Sequence, residues 1–80
     1  MNVRILGTGC SKCKGLERRI RDLNSEHHLN LEIEKVTDIR KIMSYGILAT
    51  PGLVIDGVVK SSGSIPNDEE LLQWLKAAHQ

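Results

Sequence analysis

Cys10 and Cys13 are the only cysteines in the chain, and they stand two residues apart in the stretch LGTGCSKCKG. Thiols at this spacing can bind a metal, close a small disulfide staple, or run reversible dithiol–disulfide chemistry. Cys10, Cys13, His27 and His28 fall loosely within the ligand spacing of a finger-type zinc site. The residues between them carry a helical pattern, however, and a helix would separate Cys13 from His27 by roughly 21 Å. Adjacent histidines also lack the usual gap of about three to five residues between ligands. They read as solvated residues near a helix end, where a cationic side chain is tolerated. A bound zinc is not expected. A two-coordinate site for a soft metal ion stays open, since two thiolates suffice for it. A bare staple is disfavoured, because a loop of about four residues contributes about 2 kcal/mol at best, before strain.

The redox alternative fits the local pattern. A cysteine at a helix start meets free backbone N–H groups and the positive end of the helix dipole, and both favour thiolate over thiol. Cys10 occupies that place. Cys13 falls within the first turn, more shielded, and close enough to attack a mixed disulfide on Cys10. A first turn normally favours Asp or Glu, yet Lys12 and Lys14 stand there. Lys12 is the candidate to stabilise a Cys10 thiolate, and a local violation of this kind is expected at functional sites. Arg18, Arg19 and Arg21 read as a solvated helix face.

The elements that must position the cysteines follow from periodicity. Val3, Ile5 and Leu6 form a short apolar run ending in Gly7-Thr8-Gly9, which predicts a buried strand. Cys13, Leu16, Ile20 and Leu23 then recur at helical spacing from Ser11 to about Glu26. LNLEIEKV alternates Leu29, Leu31 and Ile33 with polar residues, predicting a second strand. Thr37 or Asp38 opens a short helix that closes on Gly46, with Ile39, Ile42 and Met43 expected inward. GLVI and VVKS flank Asp56-Gly57, a strong signal for a tight hairpin. Asn67 followed by Glu70 resembles a capping box. It opens a last helix to about Ala78, with Leu71, Leu72, Leu75 and Ala78 inward. The order is β-α-β-α-β-β-α. Two strands joined through a helix lie parallel with a right-handed crossover. The expected fold is therefore α/β, one four-stranded mixed sheet flanked by three helices.

Composition sets further bounds. Eighty residues make one small domain, expected to span 1–80. Trp74 and Tyr45 are the only aromatics, and the formal net charge is +1. Neither base stacking nor phosphate tracking is supported, so no nucleic-acid partner is expected. No apolar run approaches the roughly 20 residues that span a bilayer. The start is too short and too soon interrupted by glycine for a secretory signal. Two cysteines are too few for a secreted disulfide framework. A cytoplasmic location is the default expectation, with no membrane association.

These residues resemble the thioredoxin-like superfamily over nearly the whole chain. CSKC follows a first strand, and YGILATPGLVIDG matches the superfamily's second landmark, a residue–Pro pair leading into a hairpin strand. GTGCSKC and IPNDEELLQWL are similar to the small proteins called redox-active disulfide protein 2, a glutaredoxin-like thioredoxin group. The resemblance implies a minimal thioredoxin fold and a cis Thr50–Pro51 bond, with Pro51 packed beside the cysteine pair. Thr50 would then offer its backbone to an extended substrate strand. The chain also departs from the pattern. Gly9 stands where thioredoxins place Trp, and Ser11-Lys12 where glutaredoxins commonly have a Pro. Gly7 and Gly9 should leave Cys10 more open, with Gly9 part of the substrate surface. The first strand holds no acid that could relay a proton. SSGSIPNDE loosely matches the loop in which glutaredoxins hold a glutathione carboxylate, with Ser62, Gly63 and Ser64 as possible donors. It also reads as a plain polar turn before a capped helix.

The function this implies is thiol–disulfide oxidoreductase, with Cys10 and Cys13 as catalytic residues and no cofactor beyond their own disulfide. Partners would be a disulfide-containing protein or small-thiol substrate and a reductase, met by a monomer. Two alternatives remain: a soft-metal or metalloid carrier using the same thiolates, and a thioredoxin-fold interaction module.

Overall fold

The alternation of Val3 and Ile5 with Arg4 and Leu6 gives the first strand two different faces, and the rest of the chain is arranged on them. The structure is a computed structural model that describes residues 1–77. In order, its elements are β1 (Asn2–Leu6), α1 (Ser11–His27), β2 (Glu32–Val36), α2 (Ile39–Ser44), β3 (Gly52–Ile55), β4 (Val58–Ser62) and α3 (Asp68–Ala77). The sheet runs β2-β1-β3-β4. β1 is parallel to β2 and antiparallel to β3, and β3 is antiparallel to β4. This is the minimal thioredoxin fold that the resemblance implied.

Val3 and Ile5 of β1 join Leu53 and Ile55 of β3 beneath the apolar stripes of α1 (Leu16, Ile20, Leu23) and α3 (Leu71, Leu75). Leu6 faces the other way, with Val36, Val54 and Ile42 of α2. Two helices thus cover one face of the sheet and the short α2 covers the other. The Asp56-Gly57 turn has positive φ at both residues, 48° and 85°, the backbone a two-residue hairpin turn needs. Asp56 also pins the start of β1, its carboxylate accepting from Asn2 N–H at 2.8 Å. Asn67 Oδ1 accepts from Glu70 N–H at 2.8 Å, the N-cap half of the expected capping box.

Two expectations change. In α2 only Ile42 is buried, whereas Ile39 and Met43 are 62% and 68% exposed. A helix of six residues aims one position at the sheet, and Tyr45 and Ile47 fill the space beside it. The second strand begins at Glu32, not Leu29. His28 and Asn30 both take left-handed backbone, so the chain leaves α1 through a turn. Asn24 ties that turn down, its backbone carbonyl accepting from Leu29 N–H and its side chain from Leu31 N–H. Leu29 is still buried, plugging the core from the loop. In α3 Leu71 and Leu75 are buried and Leu72 partly so. Ala78 lies outside the described residues.

An exposed position on α2 and a buried one in β3 make a clear test. Met43→Ala should change stability by no more than about 0.5 kcal/mol in urea unfolding. Leu53→Ala, in the middle of the sheet with no exposure, should cost about 2–5 kcal/mol.

Candidate functional site

β1 ends at Leu6, and Gly7 continues its pairing, donating N–H to Val36 O at 3.0 Å. Gly9 then turns the chain with φ +93°, in the region that glycine enters most readily. Cys10 follows as the N-cap of α1, in extended backbone. Its sulfur accepts from Cys13 N–H at 3.2 Å, so a cysteine does the work that Ser or Asp usually does at this position. Cys10 and Cys13 are joined as a disulfide, with Cα atoms 5.0 Å apart. The two sulfurs are unequal in access. Cys10 is exposed, and Cys13 is 5% exposed.

Gly7 departs from expectation. It does not open Cys10 to solvent; it is buried against Cys13. A Cβ at Gly7 would collide with Cys13 Sγ and lie 2.9 Å from Cys13 Cβ. At Gly9, by contrast, a Cβ would meet nothing within 4 Å, so the open approach to Cys10 comes from Gly9.

The antiparallel register sets Leu6 opposite Gly52, so the next residues along, Gly7 and Pro51, lie side by side at the rim of the sheet. The Thr50–Pro51 bond is cis. Pro51 is fully buried and Thr50 partly exposed. Pro51 O accepts from Gly63 N–H at 2.9 Å, which adds the loop after β4 to the same rim. That bond also takes up the Gly63 amide, so among the three suggested donors Gly63 is already committed within the fold. Ser62 and Ser64 are exposed. Lys12 is exposed on the first turn of α1, which carries no acid.

Other candidate residues are not brought together. His27 ends α1 and His28 caps it, the full helix length from Cys13. Among the described residues no group of three or more His, Cys, Asp or Glu side chains could hold a metal ion. A cavity of about 350 Å³ lies between β2 and α2, lined in part by Arg4, Glu34, Lys41 and Tyr45 and by neither cysteine. Arg4 Nη1 donates to Tyr45 Oη, and Arg4 Nε lies 3.3 Å from Glu34, within ion-pair reach but without hydrogen-bond geometry. The Tyr45 hydroxyl, and then Glu34, hold the guanidinium above its ordinary range. It is a cation at any working pH.

A cavity of about 90 Å³ lies directly beside Cys13, and Glu17 and Lys35 share its wall. Sequence reasoning missed both residues. Glu17 follows Cys13 by one helical turn, a spacing that could have flagged it. Lys35 had no such signal: it pairs in register with Ile5, which puts it on the α1 side of the sheet. Glu17 accepts from Arg21 Nε at 2.9 Å and lies 3.5 Å from Lys35 Nζ. The Arg21 hydrogen bond, with Lys35 behind it, holds the Glu17 carboxyl below the usual carboxylate range despite partial burial.

The model of the thioredoxin domain family matches residues 1–76. A thioredoxin of Methanothermobacter thermautotrophicus is 37% identical over 75 residues, covering 94% of this chain and 97% of the relative. A thioredoxin of Methanocaldococcus jannaschii is likewise 37% identical over 75 residues, covering 94% of this chain and 86% of the relative. With a disulfide closed across the CxxC at a helix start, this is an oxidoreductase of the dithiol–disulfide exchange class. The chain belongs to the thioredoxin domain family. Among the described residues no helix is long and apolar enough to cross a membrane.

Two outcomes follow from this geometry. Gly7→Ala forces a methyl group against the Cys13 sulfur and should cost about 1–3 kcal/mol, read from denaturant unfolding of the oxidised chain. Glu17 has a depressed folded pKa, so its contribution to stability is present above its unfolded value and is lost as pH falls through the folded one. Thermal midpoints of Glu17→Gln should therefore fall less steeply than those of the parent chain between about pH 5 and pH 3.

Proposed function

We propose that Cys10 is the attacking nucleophile and Cys13 the resolving one in the exchange of this chain's dithiol with a substrate disulfide. The observation that carries this reading is the inequality of the two sulfurs, one exposed at the N-cap and one buried. In the reduced chain the Cys10 sulfur would remain in reach of the Cys13 N–H and the helix start, which favour thiolate. It attacks one sulfur of the substrate, the substrate S–S bond breaks, and the first substrate thiolate leaves. Cys13 then attacks the Cys10 sulfur, closes the Cys10–Cys13 bond and releases the second thiolate.

Lys12 adds positive charge near the developing Cys10 thiolate. The open side of Gly9 and the rim at Thr50-Pro51 receive the substrate, with the Thr50 backbone pairing against an extended segment. Substrates are disulfide-bearing proteins or small disulfides, and a separate reductase recharges the pair. The glutaredoxin-like, glutathione-binding variant is supported less, since the Gly63 amide is engaged by Pro51.

Cys13→Ser should stop after the first step and accumulate a mixed disulfide on Cys10, visible by intact-mass measurement. Cys10→Ser should form none, and turnover surviving in that variant would refute the assignment. Lys12→Glu reverses a charge worth about 0.3–1 kcal/mol at an exposed helix start. The attack rate at neutral pH should fall by about two- to fivefold, and added salt should shrink the difference.

A further inference from the structure

Arg4 is an unusual residue for its place. It stands in the middle of β1, an inner strand of the sheet, in register with Glu34 on one side and Val54 on the other. The core on that face, Leu6, Val36, Val54 and Ile42, is buried and apolar. Bringing part of a guanidinium against such a surface costs free energy unless its donors are met. One of them is met: Nη1 donates to Tyr45 Oη at 2.6 Å. Nε is not. It is shut off from solvent and has no hydrogen-bond partner among the described residues, with Glu34 3.3 Å away but out of line. With Nη1 spent on Tyr45, the edge of the fork left over is Nε–Nη2, and a fork edge of this kind takes an oxyanion through two parallel bonds.

Arg4 forms part of the wall of the cavity of about 350 Å³ between β2 and α2, a volume within the range of small-ligand sites. Three cations line it, Arg4, Lys35 and Lys41, against two acids, Glu34 and Asp38. Several of these are committed elsewhere. Asp38 caps α2, its carboxylate accepting from Arg40 N–H at 2.9 Å, and Lys35 lies 3.5 Å from Glu17. Lys41 forms no ion pair among the described residues. The Tyr45 hydroxyl accepts from Arg4 and keeps its own proton to donate. Glu34, its side chain 58% exposed, is the loosest member of the group. The cavity therefore offers more donors than the fold itself satisfies.

We propose that this cavity binds an oxyanion, the phosphate or carboxylate group of a small ligand, on the Nε–Nη2 edge of Arg4 with the Tyr45 hydroxyl and Lys41 beside it. Glu34 is the group that the anion displaces. The site contains neither cysteine, so it does not depend on the roles given to Cys10 and Cys13. The competing account is a structural clamp in which Arg4 fastens the end of α2 to the sheet through Tyr45. A clamp of that kind answers to no ligand.

Inorganic phosphate and acetate, titrated separately into the oxidised chain, distinguish the two. Ionic strength is held constant with sodium chloride, so that general screening does not change. Backbone amide signals of residues 34–38 and 41–45 should shift and saturate. The anion with the lower dissociation constant identifies the ligand group as phosphate or carboxylate. Arg4→Lys keeps the charge and loses the fork, and should weaken binding by at least about tenfold. Tyr45→Phe should weaken it by about three- to tenfold. Glu34→Gln removes the competitor and should tighten binding by at least about threefold, a gain that a misfolded variant cannot produce. Glu32→Gln, on the same strand but outside the cavity wall, changes net charge equally and should alter affinity by less than about twofold. Failure of both anions to saturate, or saturating shifts confined to the start of α1, would overturn the proposal. So would a Glu34→Gln effect no larger than that of Glu32→Gln.

Discussion

The rim of this molecule depends on one close approach, the end of β1 passing the Cys13 sulfur at Gly7. The strand and the helix after it are joined by only a few residues, so the first turn of α1 must fold back against the strand end. Any side chain at Gly7 would occupy the space of the Cys13 sulfur. Accepting that constraint seals Cys13 into the interior and leaves Cys10 at the helix cap, facing solvent. The unequal access of the two sulfurs is thus a packing consequence. The same strand end carries the Gly7–Val36 bond and the register that sets Pro51 alongside, so the CxxC and the cis-proline loop share one support.

Charge is sorted by the two faces of the sheet. β1 and β2 run parallel and in register, so Ile5 and Lys35 point toward α1 while Arg4 and Glu34 point toward α2. On the α2 side Arg4 is held by Tyr45 and Glu34, a pinned cation away from the sulfurs. On the α1 side Lys35 meets Glu17 next to Cys13. The first turn of α1 has no acid to oppose an anion at Cys10. Acids gather instead in the first turn of α3, where Asp68, Glu69 and Glu70 complement that helix's own dipole. Asp68 also ties back to Arg19 of α1 at 3.1 Å.

Much of the fold was legible because its signals are local. The helical spacing of Cys13, Leu16, Ile20 and Leu23, the Asp56-Gly57 turn and the Asn67 cap each depend on a few neighbouring residues. Errors fell where length or backbone sign overrode pattern. LNLEIEKV alternates like a strand from Leu29, yet left-handed His28 and Asn30 delay the strand to Glu32. Ile39, Ile42 and Met43 look like one apolar face, but a helix this short seats only Ile42.

By itself the sequence determined the element order, the redox-type cysteine spacing at a helix start and the Thr50-Pro51 landmark. These are features of contiguous residues, readable without knowing what packs on what. Tertiary structure alone decided that Gly7 guards Cys13 and does not expose Cys10, that Gly63 spends its amide on Pro51, and that Lys35 reaches Glu17 at the Cys13 cavity. Each of those depends on which residues the crossover and the sheet register set side by side, and nearness of that kind has no period in the chain to announce it.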